Sequence, residues 1–468
     1  MNILPAAFRE EILHILPVEE ANALFQTIES TTAPTSIRLN PSKAQSVVAP
    51  SEKVSWFQGG YYLNERPSFT FDPLFHAGLY YVQEASSMFL AQAIRSHLPK
   101  EASCVLDLCA APGGKSTLLR QILPDNTLLV ANEFIRNRAQ ILSENLQKWG
   151  NPHVVCTSNA PADFTQLPAV FDAIVADVPC SGEGMFRKDP QSISEWSPQN
   201  VSLCIQRQRD IISHAWQALK PNGLLFYSTC TYNREENEQN VAWICKELGG
   251  EVLAVPTIEA WGITGNLSQE DFPIYRFFPH KTKGEGFFLA VLRKAASGEH
   301  NQEVFIKPNK KEKNKEKPMA TPAILKKWLK EEEKFMFKDI KGTFSAIPTI
   351  HEPLYQSLTK YLYILHAGIP MACQKGKDLI PQQGLALSTS LSDTAFPYVE
   401  LSYEKALTYL RKESFQLPEE VSKGFVLATY QGKPLGFLKN LGNRANNLYP
   451  NEWKIKSTTL NNPVQVVL

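Results

Sequence analysis

Two cysteines follow apolar runs, each in a short polar turn. The segment FDAIVADVPCSGEGMF, Phe171 to Phe186, carries Asp177 and Cys180, and GLLFYSTCTY, Gly223 to Tyr232, carries Cys230. Both runs read as buried strands of a parallel sheet, whose carboxyl ends open onto one crevice. Two thiols and a carboxylic acid in one crevice suit covalent chemistry on a pyrimidine. C5 of cytosine is a poor carbon nucleophile. Sulfur added at C6 makes C5 enamine-like, a second group must then take the C5 proton, and an acid near N3 stabilises the addition. Cys180, Cys230 and Asp177 meet that list. A free thiol with a pKa of ~8.5 is only a few per cent ionised at neutral pH, so the crevice has to favour the thiolate.

A second stretch supplies a ligand site. VLDLCAAPGGKSTLL, Val105 to Leu119, reads as strand, glycine turn and helix start, where open α/β sheets hold nucleotide-like ligands. Gly114-Lys115-Ser116 imitates a phosphate loop, but that loop needs a glycine where this chain has Cys109, and the dinucleotide pattern G-x-G-x-x-G is absent. A ligand with an amino-acid end, an adenosine and no phosphates fits better, which points to S-adenosyl-L-methionine. Glu133, ending the next strand, suits ribose hydroxyls. Arg138 is placed to orient it, and Asn159 ends the third strand, where adenine would sit. Lys115 reads as a charge near the donor's carboxylate or the site's acids.

The elements that must position these residues recur as βα units. Strands are expected at Cys104–Cys109, Leu128–Glu133, His153–Ser158, Phe171–Val178 and Gly223–Cys230. Helices are expected at Ile135–Trp149, Gln199–Leu219 and Asn233–Leu248, with Glu251–Pro256 and Gly286–Arg293 as a closing antiparallel pair. Ahead of them, Pro5–Ile28 has the spacing of two short helices, Ser36–Asn40 reads as a strand, and Gly78–Ile94 as one helix covering the sheet. After them, KPNKKEKNKEK from Lys307 to Lys317 has no apolar residue and reads as a linker. A second folding unit begins near Ala320, with a helix at Ile324–Leu329 and strands at Val399–Leu401, Gly424–Tyr430 and Leu435–Leu438. The expected division is 1–95 as an N-terminal RNA-binding or cover region, 96–295 as the α/β domain, 296–319 as basic linker, 320–380 as an intermediate α+β region, and 381–468 as a C-terminal RNA-binding domain.

Composition narrows the class. The 468 residues carry a formal net charge of +1, so any contact with nucleic acid must come from local patches. There is no apolar run of ~18 residues for a membrane span, nor a signal peptide, and a cytoplasmic protein is expected. Eight cysteines without a C-x-x-C pair argue against a disulfide framework and a zinc site. No metal is expected, and Cys104, Cys156, Cys204, Cys245 and Cys373 read as core thiols.

Taken together, YYVQEASSM, DLCAAPGGK, DVPCSGEGMF, STCTY and HKTKGEGFF, in that order between Gly78 and Arg293, resemble the Nop/Sun family of RNA 5-methylcytosine methyltransferases. The resemblance implies a seven-stranded Rossmann-like methyltransferase sheet using S-adenosyl-L-methionine. It implies that Cys109, Ala110, Ala111, Pro112, Gly113, Gly114 and Lys115 cradle the donor, that Glu133 binds its ribose, and that Asn159 and Asp177 complete the site. It makes Cys230 the nucleophile and assigns Cys180 to release of the base. The family often has Asp where this chain has Asn159.

The tail PLGFLKNLGNRANNLYPNEWKI, Pro434 to Ile455, resembles the PUA-like domain of the RsmF-type subgroup. Lys439 and Arg444 interleave there with Tyr449 and Trp453, a mixture suited to phosphate contact and base stacking. The subgroup implies the small ribosomal subunit or its 16S RNA as partner, bound by a monomer. Transfer RNA is the alternative substrate, and an RNA-binding assembly factor with a vestigial site is the alternative class.

Overall fold

The computed structural model describes residues 4–44, 46, 51–296, 322–414, 416–457 and 467–468. The linker expected between residues 296 and 319 falls almost entirely outside them.

Apolar residues at helical spacing fold the N-terminus into two helices, Ala6–Ile15 and Val18–Ser30. A four-stranded antiparallel sheet follows, made of β1 (Thr35–Leu39), β2 (Ser51–Lys53), β3 (Gly60–Leu63) and β4 (Tyr80–Val82) in the order β2-β3-β1-β4. The two helices bury Phe8, Ile12, Leu24 and Phe25 in one cluster with Phe186, Trp196 and Tyr232. They therefore support the two segments that follow Cys180 and Cys230.

The single helix expected over Gly78–Ile94 is not formed. Tyr80–Val82 pairs with β1, Ser86–Phe89 is one 3-10 turn, and the helix proper is Leu90–His97. Gly78 sets this start: its φ is +74°, and a Cβ there would lie 1.9 Å from the carbonyl oxygen of Lys148. Two tyrosines and a valine then favour a pleated surface.

The central sheet contains β5 (Cys104–Asp107), β6 (Leu128–Asn132), β7 (Val154–Thr157), β8 (Phe171–Asp177), β9 (Leu219–Thr229), β10 (Gly250–Leu253), β11 (Tyr275–Phe277) and β12 (Phe287–Lys294). Strands β7-β6-β5-β8-β9 are parallel, and β12 and β10 extend them antiparallel. Val105, Leu106, Leu129, Val130, Ile174 and Val175 are buried, as continuous apolar runs in a sheet covered on both faces should be.

The rest of the chain forms β13 (Phe335–Ile340), β14 (Thr343–Pro348), β15 (Ile364–Ala367), β16 (Ile369–Lys375), β17 (Asp378–Pro381), β18 (Tyr398–Glu400), β19 (Gly424–Tyr430), β20 (Lys433–Asn440) and β21 (Ala445–Asn447). Two four-stranded sheets result, β13-β14-β16-β17 and β18-β19-β20-β21. The central sheet is larger than the seven strands expected. Among the described residues it has nine, because β11 pairs with β12 and β15 adds antiparallel to β7. The physical reason for β15 is the open edge of β7, whose backbone groups would otherwise lack partners. Tyr363 accepts from Ser158 N–H at 3.1 Å, and Gly368 N–H donates to Val154 at 2.9 Å, fastening both ends. β15, which lies in the expected intermediate region, is thus part of the central sheet. No helix among the described residues is long and apolar enough to cross a membrane.

Across this seam His153 Nδ1 meets His351 Nε2 at 2.9 Å. Burial, reinforced by Arg120 for His153 and by His153 for His351, lowers the pair to about 4 and about 3. Both lie below the ordinary 6.5, so the unfolded chain binds protons that the folded one refuses. Their stabilisation is complete above pH 6.5 and is lost as pH falls toward 4, at a limiting ~1.4 kcal/mol per pH unit for each ring. Thermal melts should show Tm dropping between pH 6.5 and 4.5, and a shallower slope for His351→Asn. Equal slopes would remove the pair from the account.

Candidate active site

The parallel register of β8 and β9 places Asp177 beside Ser228, so the residues just beyond both strand ends face each other. Cys180 Sγ lies 3.3 Å from Cys230 Sγ, and the backbone N–H of Cys230 points to Cys180 Sγ at 3.4 Å. Both side chains are half-buried. The hydrogen bond to Cys230, then burial, hold the Cys180 thiol well above its ordinary range. The raised thiol favours the arrangement in which Cys180 is the protonated partner of this sulfur pair.

Asp177 is held at both oxygens. Ser228 Oγ donates to Oδ1 at 2.8 Å, and Lys115 Nζ pairs with Oδ2 at 2.8 Å. Burial is the largest single influence and lowers Lys115, but Asp177, through attraction and its hydrogen bond, together with Asp107 and Cys230, raises the ammonium's pKa overall. The lysine of the glycine turn thus serves the acid of the cysteine crevice.

Behind the thiols is a buried polar network whose members the sequence reasoning missed. Glu236 accepts from Ser181 N–H at 3.1 Å, Gln208 Nε2 at 2.6 Å and Asn233 Nδ2 at 2.8 Å. Gln208 Nε2 also donates to Pro179 O at 3.0 Å, and the hydroxyls of Ser181 and Thr231 are 2.8 Å apart. Glu183 accepts from the N–H groups of Tyr232 and Asn233 at 2.7 and 3.0 Å. Ser181 and Thr231, the residues that follow the two cysteines, are therefore tied to each other's loops. Gly184 allows the close approach: its N–H donates to Cys230 O at 2.8 Å, and a Cβ there would meet that oxygen at 2.8 Å. One signal was available in the sequence. Asn233-x-x-Glu236 has capping-box spacing, and its two members do bond reciprocally, Glu236 N–H to Asn233 Oδ1 at 2.8 Å.

The glycine turn feeds the helix Gly114–Ile122 through Gly113, whose φ of +114° few side chains would tolerate. Asp107, buried beneath it, accepts from Ser116 Oγ at 2.6 Å through Oδ2, while its Oδ1 has no partner. Burial pushes its carboxyl up to about 7. Glu133 is buried at the end of β6, accepts from Ile135 N–H at 3.0 Å, and has Arg138 3.6 Å away. Arg138 also donates to Ala111 O at 3.1 Å, which joins the acid to the turn. The orphaned Asp107 oxygen, the small-residue turn and the ribose-type acid fit an amino-acid and adenosine ligand.

Asn159 stands at the adjacent strand end, but its amide is engaged at both ends. Its Oδ1 accepts from Tyr363 N–H at 2.9 Å, and its Nδ2 donates to Asp163 at 3.0 Å. The C-terminal residues differ in how far they are available to a ligand. Arg444 is exposed, Lys439 is paired with Asp378 at 2.6 Å, and Trp453 is half-buried. Tyr449 corrects the expectation of a base-stacking role: it is wholly buried, set edge-on to Tyr409, with its hydroxyl 3.3 Å from His76 Nδ1. Its aromatic area completes a core and is not offered to a ligand.

The domain described as 16S rRNA methyltransferase RsmB/F matches residues 96–293. Ribosomal RNA small subunit methyltransferase F of Aliivibrio fischeri is 32% identical over 473 residues, covering 96% of this chain and 97% of its own. The chain belongs to the RsmB/F methyltransferase family. The namesake protein of Cronobacter sakazakii is 33% identical over 80% of this chain and 78% of its own length. The RsmF N-terminal domain matches residues 4–85, and the RsmF PUA domain matches residues 396–455. Among solved structures, NSun6 from Pyrococcus horikoshii with SFG aligns at a TM-score of 0.53 and 21% identity, covering 63% of this chain and 99% of that one, which establishes the shared fold. As an RsmB/F member the chain is an S-adenosyl-L-methionine-dependent methyltransferase.

Proposed function

We propose that this enzyme methylates C5 of a cytosine in small-subunit ribosomal RNA by way of a thioether between Cys230 and C6. The observation that carries the reading is the pair of thiols 3.3 Å apart beside the Lys115–Asp177 pair. The ribosomal substrate is supported by the names of the full-length relatives and by the matching PUA domain.

S-adenosyl-L-methionine supplies a methyl group on a sulfonium, and Cys109 to Lys115, Glu133, Arg138 and Asn159 are the residues we assign to holding it. Cys230 attacks C6 as a thiolate, which Cys180 favours by donating its S–H and Lys115 by its positive charge. Asp177, steered by Ser228 and Lys115, is the group placed to act as the acid near N3, giving N3 a proton as negative charge develops there during addition and taking it back when Cys230 leaves. When the Cys230–C6 bond forms, the sulfur loses its negative charge. The interaction that raised Cys180 disappears with it, so Cys180 can give its proton to solvent; C5, now enamine-like, gains the methyl group that the donor would supply, and the Cys180 thiolate then takes the C5 proton. Removal of that proton expels Cys230 and restores the pyrimidine.

Bisulfite mapping of cellular RNA with and without the gene tests the substrate. At least one 16S cytosine should lose its methyl group and regain it only with an intact Cys230. Loss confined to transfer RNA would overturn the ribosomal assignment and keep the chemistry. Rescue by Cys230→Ser would overturn the chemistry.

A further inference from the structure

The strand that closes the central sheet leaves an open cavity of about 280 Å³ between the helix Arg136–Trp149, the β13–β14 turn, β15 and Trp453. It lies outside the catalytic crevice, yet it is joined to the donor site through Tyr363, the residue whose N–H binds Asn159. We propose that this seam cavity takes one unpaired nucleotide of the substrate RNA, distinct from the cytosine that is methylated. The inference rests on the proposed RNA substrate and adds a second point of attachment to it.

The lining chemistry selects the ligand. Four glutamines, Gln140, Gln147, Gln382 and Gln383, meet there with His366 and Lys341, and no carboxylate is present among the lining residues. Amides offer a donor and an acceptor side by side, as base edges require, and bind them without charge. A metal ion would find no anionic oxygen, and an acyl chain would strand the amides. At ~30 Å³ per water the space holds about nine waters, enough for one nucleoside and too little for a duplex.

Two further features point the same way. His366 is 5% exposed, its Nδ1 lies 2.8 Å from Ser143 Oγ, and its Nε2 has no partner among the described residues. Gln147 Nε2 donates to the same Ser143 oxygen at 3.1 Å. The serine proton is thereby directed to Nδ1, which leaves Nε2 as a buried N–H lacking an acceptor beside the cavity. At the rim, Lys341 Nζ sits 3.3 Å from the centre of the Tyr363 ring, with the Arg136 guanidinium 5.7 Å from the same ring. Tyr363 is 46% exposed, and the Lys341 ammonium lies over its ring, so a base stacks there by displacing that ammonium toward the phosphate. An aromatic ring with cations beside it is the arrangement that stacks a base while meeting its phosphate.

The test uses the full chain and a 16S transcript carrying 4-thiouridine. Gln140 and Lys341 are both exposed, so Gln140→Leu with Lys341→Ala is expected to fold. For the variant, KM for the transcript should rise on the order of tenfold, the loss of one base contact. The kcat and the affinity for S-adenosyl-L-methionine should stay as in the parent. Photo-crosslinks of the parent should map to 136–147 or 341–366 and vanish in the variant. An unchanged KM with crosslinks only elsewhere overturns the inference while the functional reading stands. A parent that crosslinks at the seam but methylates no ribosomal cytosine overturns the functional reading alone.

Discussion

Replacing Cys180 by Ala should convert the enzyme into a trap. Cys230 can still add to C6, but the group that would take the C5 proton is gone, so the adduct should survive denaturation and run as a protein–RNA band on a gel. Multiple turnover should fall by about 10²–10⁴-fold, the range for loss of a general acid–base group. Cys230→Ala should abolish turnover as well, yet leave no band. The contrast between the variants is the measurement, because both merely lose activity in a standard assay. It follows from the geometry: with 3.3 Å between the sulfurs, only one can be anionic at a time, and the contact with Cys230 and the burial that push the Cys180 thiol up favour Cys180 as the sulfur that keeps its proton. A band with Cys230→Ala and none with Cys180→Ala would exchange the two roles. No band with either, using RNA that the parent methylates, would remove the covalent step.

The parts of this site that lie at strand ends were readable from the chain. A parallel sheet repeats apolar runs, and each run ends at the same edge, so Asp107, Glu133, Asn159, Asp177 and Cys230 could be placed by counting. Pairings between distant segments could not. β15 looks like any short apolar run, and only the unpaired edge of β7 explains its position. Gly78–Ile94 has helix-like composition throughout, and the contact that starts it as a strand is with Lys148, seventy residues away. Tyr449 illustrates the limit of composition: a basic and aromatic mixture was present, but the side on which each ring falls is decided by packing against Tyr409 and His76. Glu183 and Glu236 were passed over because acids are ordinarily solvated. Their burial follows from neighbouring N–H groups contributed by both loops.

Glu238→Ala should destabilise the α/β domain by about 3–5 kcal/mol, with Tm lower on the order of 10 °C. Glu238 and Arg276 are each 2% exposed and form a two-pronged pair, in which Arg276 Nε donates to Glu238 Oε1 at 2.7 Å. Arg276 lies on β11 and Glu238 opens the helix Glu238–Leu248, so the pair crosses from the sheet edge to the layer above it. Truncating the acid leaves a guanidinium in the interior with two of its three bonded nitrogens unmet, and that penalty exceeds what the intact pair contributes. The remaining prong reaches the catalytic loop: Arg276 Nη1 donates to Tyr232 O at 2.7 Å, two residues beyond Cys230. Stability and catalysis should therefore separate in a double variant. Glu238→Leu with Arg276→Met replaces the buried charges by apolar groups and should recover most of the lost Tm. It cannot replace the bond to Tyr232, so the Cys230 loop stays loosely held and kcat should remain well below the parent while KM for RNA is little changed. Full recovery of kcat together with Tm would show that the pair acts on the fold alone.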